Sequence, residues 1–179
     1  MRAVIVVRMR RIPAFPLRPH EAVEQVSIRA VRRDDRERIV KAFQALERAS
    51  VYLRFFSHKK ELTEEELRRV TECDGVSRAV LVATVGSGER EIIVALGEYV
   101  RTGPAAHIAF AVEEDFQRRG IASRLLRQLA DIARASGIAC FEADVLAENA
   151  PMLAVLRNSG LRMQTSHAEG AVHATLFLT

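Results

Sequence analysis

The sequence predicts an α/β domain: a mixed sheet covered by helices. Three observations carry that prediction. After residue 26, segments of strand period and of helix period follow in the order strand, two helices, three strands, helix, strand, helix, two strands. Of the 179 residues 49% are hydrophobic, which is enough for one sizeable core and too little for two comfortable ones. A strand-like run also passes through Phe116-Gln-Arg-Arg-Gly-Ile-Ala122 directly into an amphipathic helix.

Residues 27–179 read as the domain and residues 1–26 as an N-terminal extension. The first twenty residues contain arginine but no acid, and the apolar stretch Ala3–Val7 is shorter than the ~7 to 15 residues of a secretion signal. The extension is an extra strand, a basic arm, or sequence upstream of the true start. From Val26, VSIRAV alternates like a strand, and Asp34-Asp35 precede a helical pattern through Ile39, Val40, Phe43 and Leu46. After VYLRFFSHKK, Thr63 and Glu66 form a capping box, and Leu62 can staple Leu67, so a helix starts near Glu64 and runs to about Glu72. RAVLVATV and EIIVALGEYVR are strands joined as a hairpin by Gly86–Arg90; Gly86-x-Gly88 lacks the third glycine and helix of a dinucleotide fingerprint. AAHIAFAV is the fourth strand, with His107, Ala109 and Ala111 on one face and Ile108, Phe110 and Val112 on the other. The next helix buries Leu125, Leu126, Leu129, Ile132 and Ala133, leaves Arg124, Arg127, Asp131 and Arg134 outside, and ends at Ser136-Gly137. CFEADVL is a fifth strand, and NAPMLAVLRNSG is a helix with Pro151 in its first turn. LRMQT and AVHATLFL close the sheet as a hairpin, separated by SHAEG.

Composition narrows the function. The 27 Lys and Arg are set against 23 Asp and Glu, a net charge of +4 that suits an anionic ligand but is weak ground for nucleic acid. Phe55 and Phe56 beside Lys59-Lys60 could stack on bases, yet TEEEL follows at once, and core packing is the simpler reading. The apolar runs fall far below the roughly 20 residues of a membrane span. Cys73 and Cys140 have neither metal spacing nor a disulfide framework, so no metal is expected, and the thiols read as reduced in a cytoplasmic protein.

The junction at Gln117–Ala122 carries the chemistry. A loop entering a helix presents unpaired backbone N–H groups at the positive end of the helix dipole, a ready site for phosphate oxygens. Small residues at Gly120 and Ala122 allow close approach, and Arg118 and Arg119 add charge. The alternative is a glycine that relieves a tight turn between solvated arginines. A P-loop is excluded, because no Gly-Lys-Ser/Thr opens the helix.

Gln117-Arg-Arg-Gly120-Ile-Ala122 fits the Q/R-x-x-G-x-G/A signature of the GNAT N-acetyltransferase superfamily, and the element order is similar to that fold along residues 27 to 178. SVYLRFFSHKKELTEEEL and ADVLAENAPMLAVLRNSGLRM resemble the acetyltransferase domain of bacterial Pat-type protein lysine acetyltransferases. The resemblance implies a mixed, mostly antiparallel sheet that splays between strands four and five, and it implies acetyl-CoA as cofactor. Backbone amides of Gln117, Arg118, Arg119, Gly120, Ile121 and Ala122 would hold the diphosphate. The backbone at Phe110, Ala111 and Val112 would pair with the pantetheine arm, and Asn149 would lie near it; as a residue type Asn149 is equally suited to cap the helix.

Acyl transfer to an amine needs a neutral nucleophile, whereas a lysine near neutral pH is uncharged in only about one part in a thousand. In this superfamily the base is often a Glu on the fourth strand, in a pattern like A-E-x-x-F. Here the stretch is Ala106-His107-Ile108-Ala109-Phe110. Histidine preserves the role in principle, and Glu98 on the third strand is the second candidate, ahead of a water chain. The tyrosine acid of many members is replaced by Leu156, with Tyr52 and Tyr99 remaining as donors. Neither cysteine sits in a nucleophile motif, which favours direct transfer. The resemblance implies an acceptor site over the first helices and the terminal hairpin, lined by YLRFFSHKK and SHAEG. Protein lysine is the first acceptor and a small amine the second, while a non-catalytic acyl-CoA-sensing module is the rival. At this length there is no room for the regulatory or synthetase-like domains such proteins can carry. The oligomeric state is left open, a dimer among the options.

Overall fold

The computed structural model describes residues 26–45, 60–168 and 170–178. Seven strands make one sheet in the order β1-β2-β3-β4-β5-β7-β6. They are β1 (Ser27–Ala30), β2 (Arg78–Val85), β3 (Ile92–Thr102), β4 (Ala105–Val112), β5 (Cys140–Leu146), β6 (Arg162–Ala168) and β7 (Ala171–Phe177). Helices α1 (Arg36–Gln44) and α2 (Glu64–Thr71) precede β2, α3 (Ile121–Ala135) follows β4, and α4 (Ala150–Arg157) follows β5. This is the order the sequence predicts. Every neighbouring pair is antiparallel except β4 with β5.

The helices divide between the two sheet faces because strand side chains alternate. On one face α3 and α4 form the main core, where Leu125, Leu126 and Leu129 meet Ile108, Phe110, Phe141 and Leu176. On the other, Ile39 of α1 and Leu67 of α2 cluster with Val82 and Ile93. Gly97 lets α3 come this close: a Cβ there would lie 3.0 Å from the Phe110 ring and 3.3 Å from Leu125 Cβ. The face of α3 differs slightly from the predicted one. Ala130 is buried, Ile132 is only half-buried, and Arg124 reaches back to donate to the Val26 carbonyl (3.3 Å). Burial follows the width of the packed stripe, so a small residue beside it goes under and a rim isoleucine does not.

Local chemistry sets the ends. Thr63 Oγ1 accepts from Glu66 N (3.2 Å) while Thr63 N donates to Glu66 Oε2 (2.8 Å), the expected capping box, and Leu62 packs in the cluster that holds Leu67. A 3-10 turn, Arg33–Asp35, precedes α1. Its Asp35 is fully buried, and Arg29 donates to both its oxygens (2.6 and 2.8 Å) and to Glu91 (3.0 and 2.8 Å), fastening β1 to the entry of β3. The terminal hairpin is tighter than predicted: β6 extends into SHAEG as far as Ala168, which pairs with Ala171 at the start of β7. The expectations for Leu46 and for Tyr52–Lys59 fall outside the described residues.

Candidate functional site

The passage from β4 to α3 is not straight, as the sequence suggests; a 3-10 turn, Glu114–Phe116, intervenes. Its cause is Glu113. The Glu113 N–H donates to Val94 O (2.8 Å), which extends the β3–β4 ladder one step, and its side chain turns inward to 2% exposure. The chain then folds back: Phe116 N donates to Glu113 O (2.9 Å), Gln117 N to Glu114 O (3.1 Å), and Phe116 packs against the core. Gln117 Nε2 donates to Val112 O (3.0 Å), so the predicted loop residue staples its own loop. Arg118 follows at φ 57, the one non-glycine in the left-handed region among the described residues, a conformation that such sites hold at a cost of order 1 kcal/mol. Gly120 at φ 74 caps α3. With Arg124 N donating to Gly120 O as the first intrahelical bond, the N–H groups ahead of it at the helix start point out of the helix end.

Those N–H groups open on a cavity of about 350 Å³. Phe110 and Val112 of β4 form one wall; the loop and helix start supply Phe116, Gln117, Arg118, Gly120, Ile121, Ala122 and Ser123; α4 closes it with Pro151, Met152, Ala154 and Val155. Seven of the ten predicted cofactor positions thus come together. Ala111 does not line it, because alternation sends its side chain to the other face. Arg119 does not either: its guanidinium lies over the Phe116 ring, 5.4 Å from the centroid. Asn149 caps α4, with Oδ1 accepting from Met152 N (3.3 Å). The cavity continues a gap in the sheet. β4 and β5 pair only at Ala105–Cys140, Ala106–Phe141 and His107–Glu142, so beyond His107 the β4 main chain has no strand partner on that side among the described residues.

His107 stands at this last rung, on the face away from α3, with Nε2 3.4 Å from Glu142 Oε2. Glu98 shares the face one step along β3, opposite Ala109, and its Oε2 lies 3.5 Å from Arg78 Nη1. A second pair follows on β5 and β7, where His173 Nδ1 is 2.7 Å from Asp144 Oδ1. Of the two tyrosines considered as proton donors, Tyr99, opposite Ile108, faces the α3 side with its hydroxyl donating to Gly75 O (2.9 Å), and Leu156, at the position where many members carry the tyrosine, is fully buried. Tyr52 lies outside the described residues.

The residues missed in the sequence are Phe116, Ser123 and the α4 wall. The α4 residues were legible as a face, since Pro151, Ala154 and Val155 recur at helical spacing. Nothing marked that face as turned toward the β4–α3 loop.

A sequence model of the acetyltransferase (GNAT) family matches residues 41–161. Among solved structures the chain is similar to the GNAT domain of S. lividans PAT, at 32% identity over 85% of this chain and 90% of that one, with a TM-score of 0.76. It is also similar to a cAMP-binding acyltransferase from Mycobacterium smegmatis, at 27% identity and a TM-score of 0.59, over 86% of this chain but 44% of that one, so it spans less than half of that protein. The yncA protein of Salmonella typhimurium, solved with its cofactor acetyl-CoA, shares the fold at 15% identity and a TM-score of 0.66, over 86% of this chain and 92% of that one. No helix among the described residues is long and apolar enough to cross a membrane.

Proposed function

The chain belongs to the GNAT acetyltransferase family, whose domains bind acetyl-CoA, and from that premise we propose that it moves an acetyl group from acetyl-CoA directly to an amine, a protein lysine first. One juxtaposition carries the proposal: the N-terminus of α3, entered through the left-handed Arg118 and Gly120, opens on the cavity that continues the β4–β5 gap. The residues present fit this cofactor. A helix start with free N–H groups takes phosphate oxygens, nothing stands within 4 Å of where a Gly120 Cβ would be, and the unpaired side of β4 beyond His107 can bond an amide-bearing arm as an added strand would.

Bound acetyl-CoA supplies an acetyl group activated as a thioester. Around it the main-chain N–H groups of Gly120 to Ser123 hold the diphosphate, Arg118 adds positive charge, and Phe110 and Val112 give the cavity an apolar wall. The amine must lose a proton where it meets the acetyl carbon. His107, at the last rung before the gap, takes it. Glu98 is the second choice, because its carboxylate already faces the Arg78 guanidinium. The leaving thiolate receives no tyrosine proton from Tyr99 or from the Leu156 position. Protein lysine is preferred over a small amine on the likeness to the PAT domain, and the protein is read as cytoplasmic.

Calorimetry with acetyl-CoA, followed by thiol-release assays on lysine-bearing proteins and on small amines, tests this. Binding with release on lysine is expected. Turnover of small amines alone would move the acceptor, binding without release on any amine would make the domain an acyl-CoA sensor, and no binding would end the reading.

A further inference from the structure

Building on the reading of His107 as proton acceptor, we propose that Glu142 is its positioning residue, fixing the imidazole so that Nδ1 is the nitrogen that receives the proton. The register sets His107 directly opposite Glu142 in the last rung of the parallel pair, with Nε2 3.4 Å from Oε2. That is long for a hydrogen bond, as catalytic contacts are before substrate arrives. Both side chains keep partial access to solvent, at 22% and 27% exposure. The other charged groups on this face have partners of their own: Glu98 faces Arg78 at 3.5 Å and Asp144 faces His173 at 2.7 Å. Cys140, two residues before Glu142, has its thiol pushed up by burial and by the Glu142 charge.

A carboxylate only accepts, so beside it Nε2 carries the proton and Nδ1 keeps its lone pair. As the amine nitrogen bonds to the acetyl carbon and the C–S bond breaks with its electron pair going to sulfur, the amine proton passes to Nδ1. The imidazolium then lies against the Glu142 charge. This divides the labour as a base and its orienting acid do elsewhere.

The test is ¹⁵N NMR of histidine-labelled full chain beside steady-state kinetics of Glu142→Ala, Glu142→Gln and His107→Ala. Expected are an Nε2-protonated His107 in the parent protein, loss of that preference in Glu142→Ala, and a kcat lower by roughly 10- to 100-fold at unchanged acetyl-CoA affinity, with partial recovery in Glu142→Gln. An unchanged tautomer and a kcat within about twofold of the parent in Glu142→Ala, while His107→Ala loses about 100-fold, would overturn the positioning role and leave the base in place. Full turnover by His107→Ala would overturn both.

Discussion

Replacing Glu113 by glutamine should flatten the pH dependence of stability between about pH 5 and 8. Glu113 is 2% exposed, and its Oε2 has no hydrogen-bond partner among the described residues. Burial, and then the charge of Asp115, push its carboxyl from the ordinary 4.5 up to about 7, with Glu114 adding to the effect and the Asp115 N–H and Arg119 opposing it. An acid raised on folding binds its proton more tightly in the folded chain, so stability is highest below about 4.5, falls as pH rises, and has lost the full amount above about 7. At about 1.4 kcal/mol per pH unit, that interval corresponds to roughly 3 kcal/mol. Glutamine cannot ionise, although it exchanges an unsatisfied acceptor for an unsatisfied donor and so carries a pH-independent cost of about 1 to 3 kcal/mol. The slope is therefore the readout. Urea denaturation at pH 5, 6, 7 and 8 should show the parent losing about 2 to 3 kcal/mol across the range and Glu113→Gln staying level. Parallel pH profiles for the two proteins would refute the reasoning.

Gly120→Ala meets no steric neighbour but must hold φ 74; it should cost about 1 kcal/mol of stability and weaken acetyl-CoA binding by roughly tenfold, about 1.4 kcal/mol, in calorimetry. Undiminished binding would mean that the cofactor does not lie on that backbone. Arg29→Ala leaves the buried Asp35 carboxylate only the Arg32 N–H (2.8 Å) and the Arg38 guanidinium (3.5 Å), so about 3 kcal/mol should be lost in urea titration, and Asp35→Asn added to it should recover part. Tyr99→Phe removes one hydrogen bond to Gly75 O, which should cost about 1 kcal/mol and leave kcat unchanged; a tenfold fall would restore tyrosine as the acid.

What was legible in the sequence was whatever a local pattern enforces. Thr63 and Glu66 lie three residues apart and cap a helix wherever the chain goes, and alternation alone sends His107 and Phe110 to opposite faces. Asn149 caps α4 by the same local logic, one of the two roles its residue type suits. The turn at Glu114–Phe116 was not legible, because it arises from a buried carboxylate at Glu113 that no hydrophobic pattern announces. The pairs His107–Glu142 and His173–Asp144 were hidden for a different reason. Each depends on strand register between segments 29 or more residues apart, and register is settled by the whole sheet rather than by either strand.

The parallel step between β4 and β5 would bring the proposed binding and chemistry to one place. Antiparallel neighbours can stay paired along their length, as β5 and β7 do over seven residues. β4 and β5 are instead joined through α3, whose N-terminus has to be reached from the far end of β4. The chain leaves β4 by turning at Glu113, and α3 carries it back over the sheet to begin β5 at the rung where β4 begins. β5 then follows β7 away from β4. The same connection therefore opens the gap, puts a helix N-terminus at its wide end and leaves His107 where it closes. On the function proposed above, an anion held by the Gly120 amides and a reactive group beside His107 would belong to one elongated ligand threaded between them.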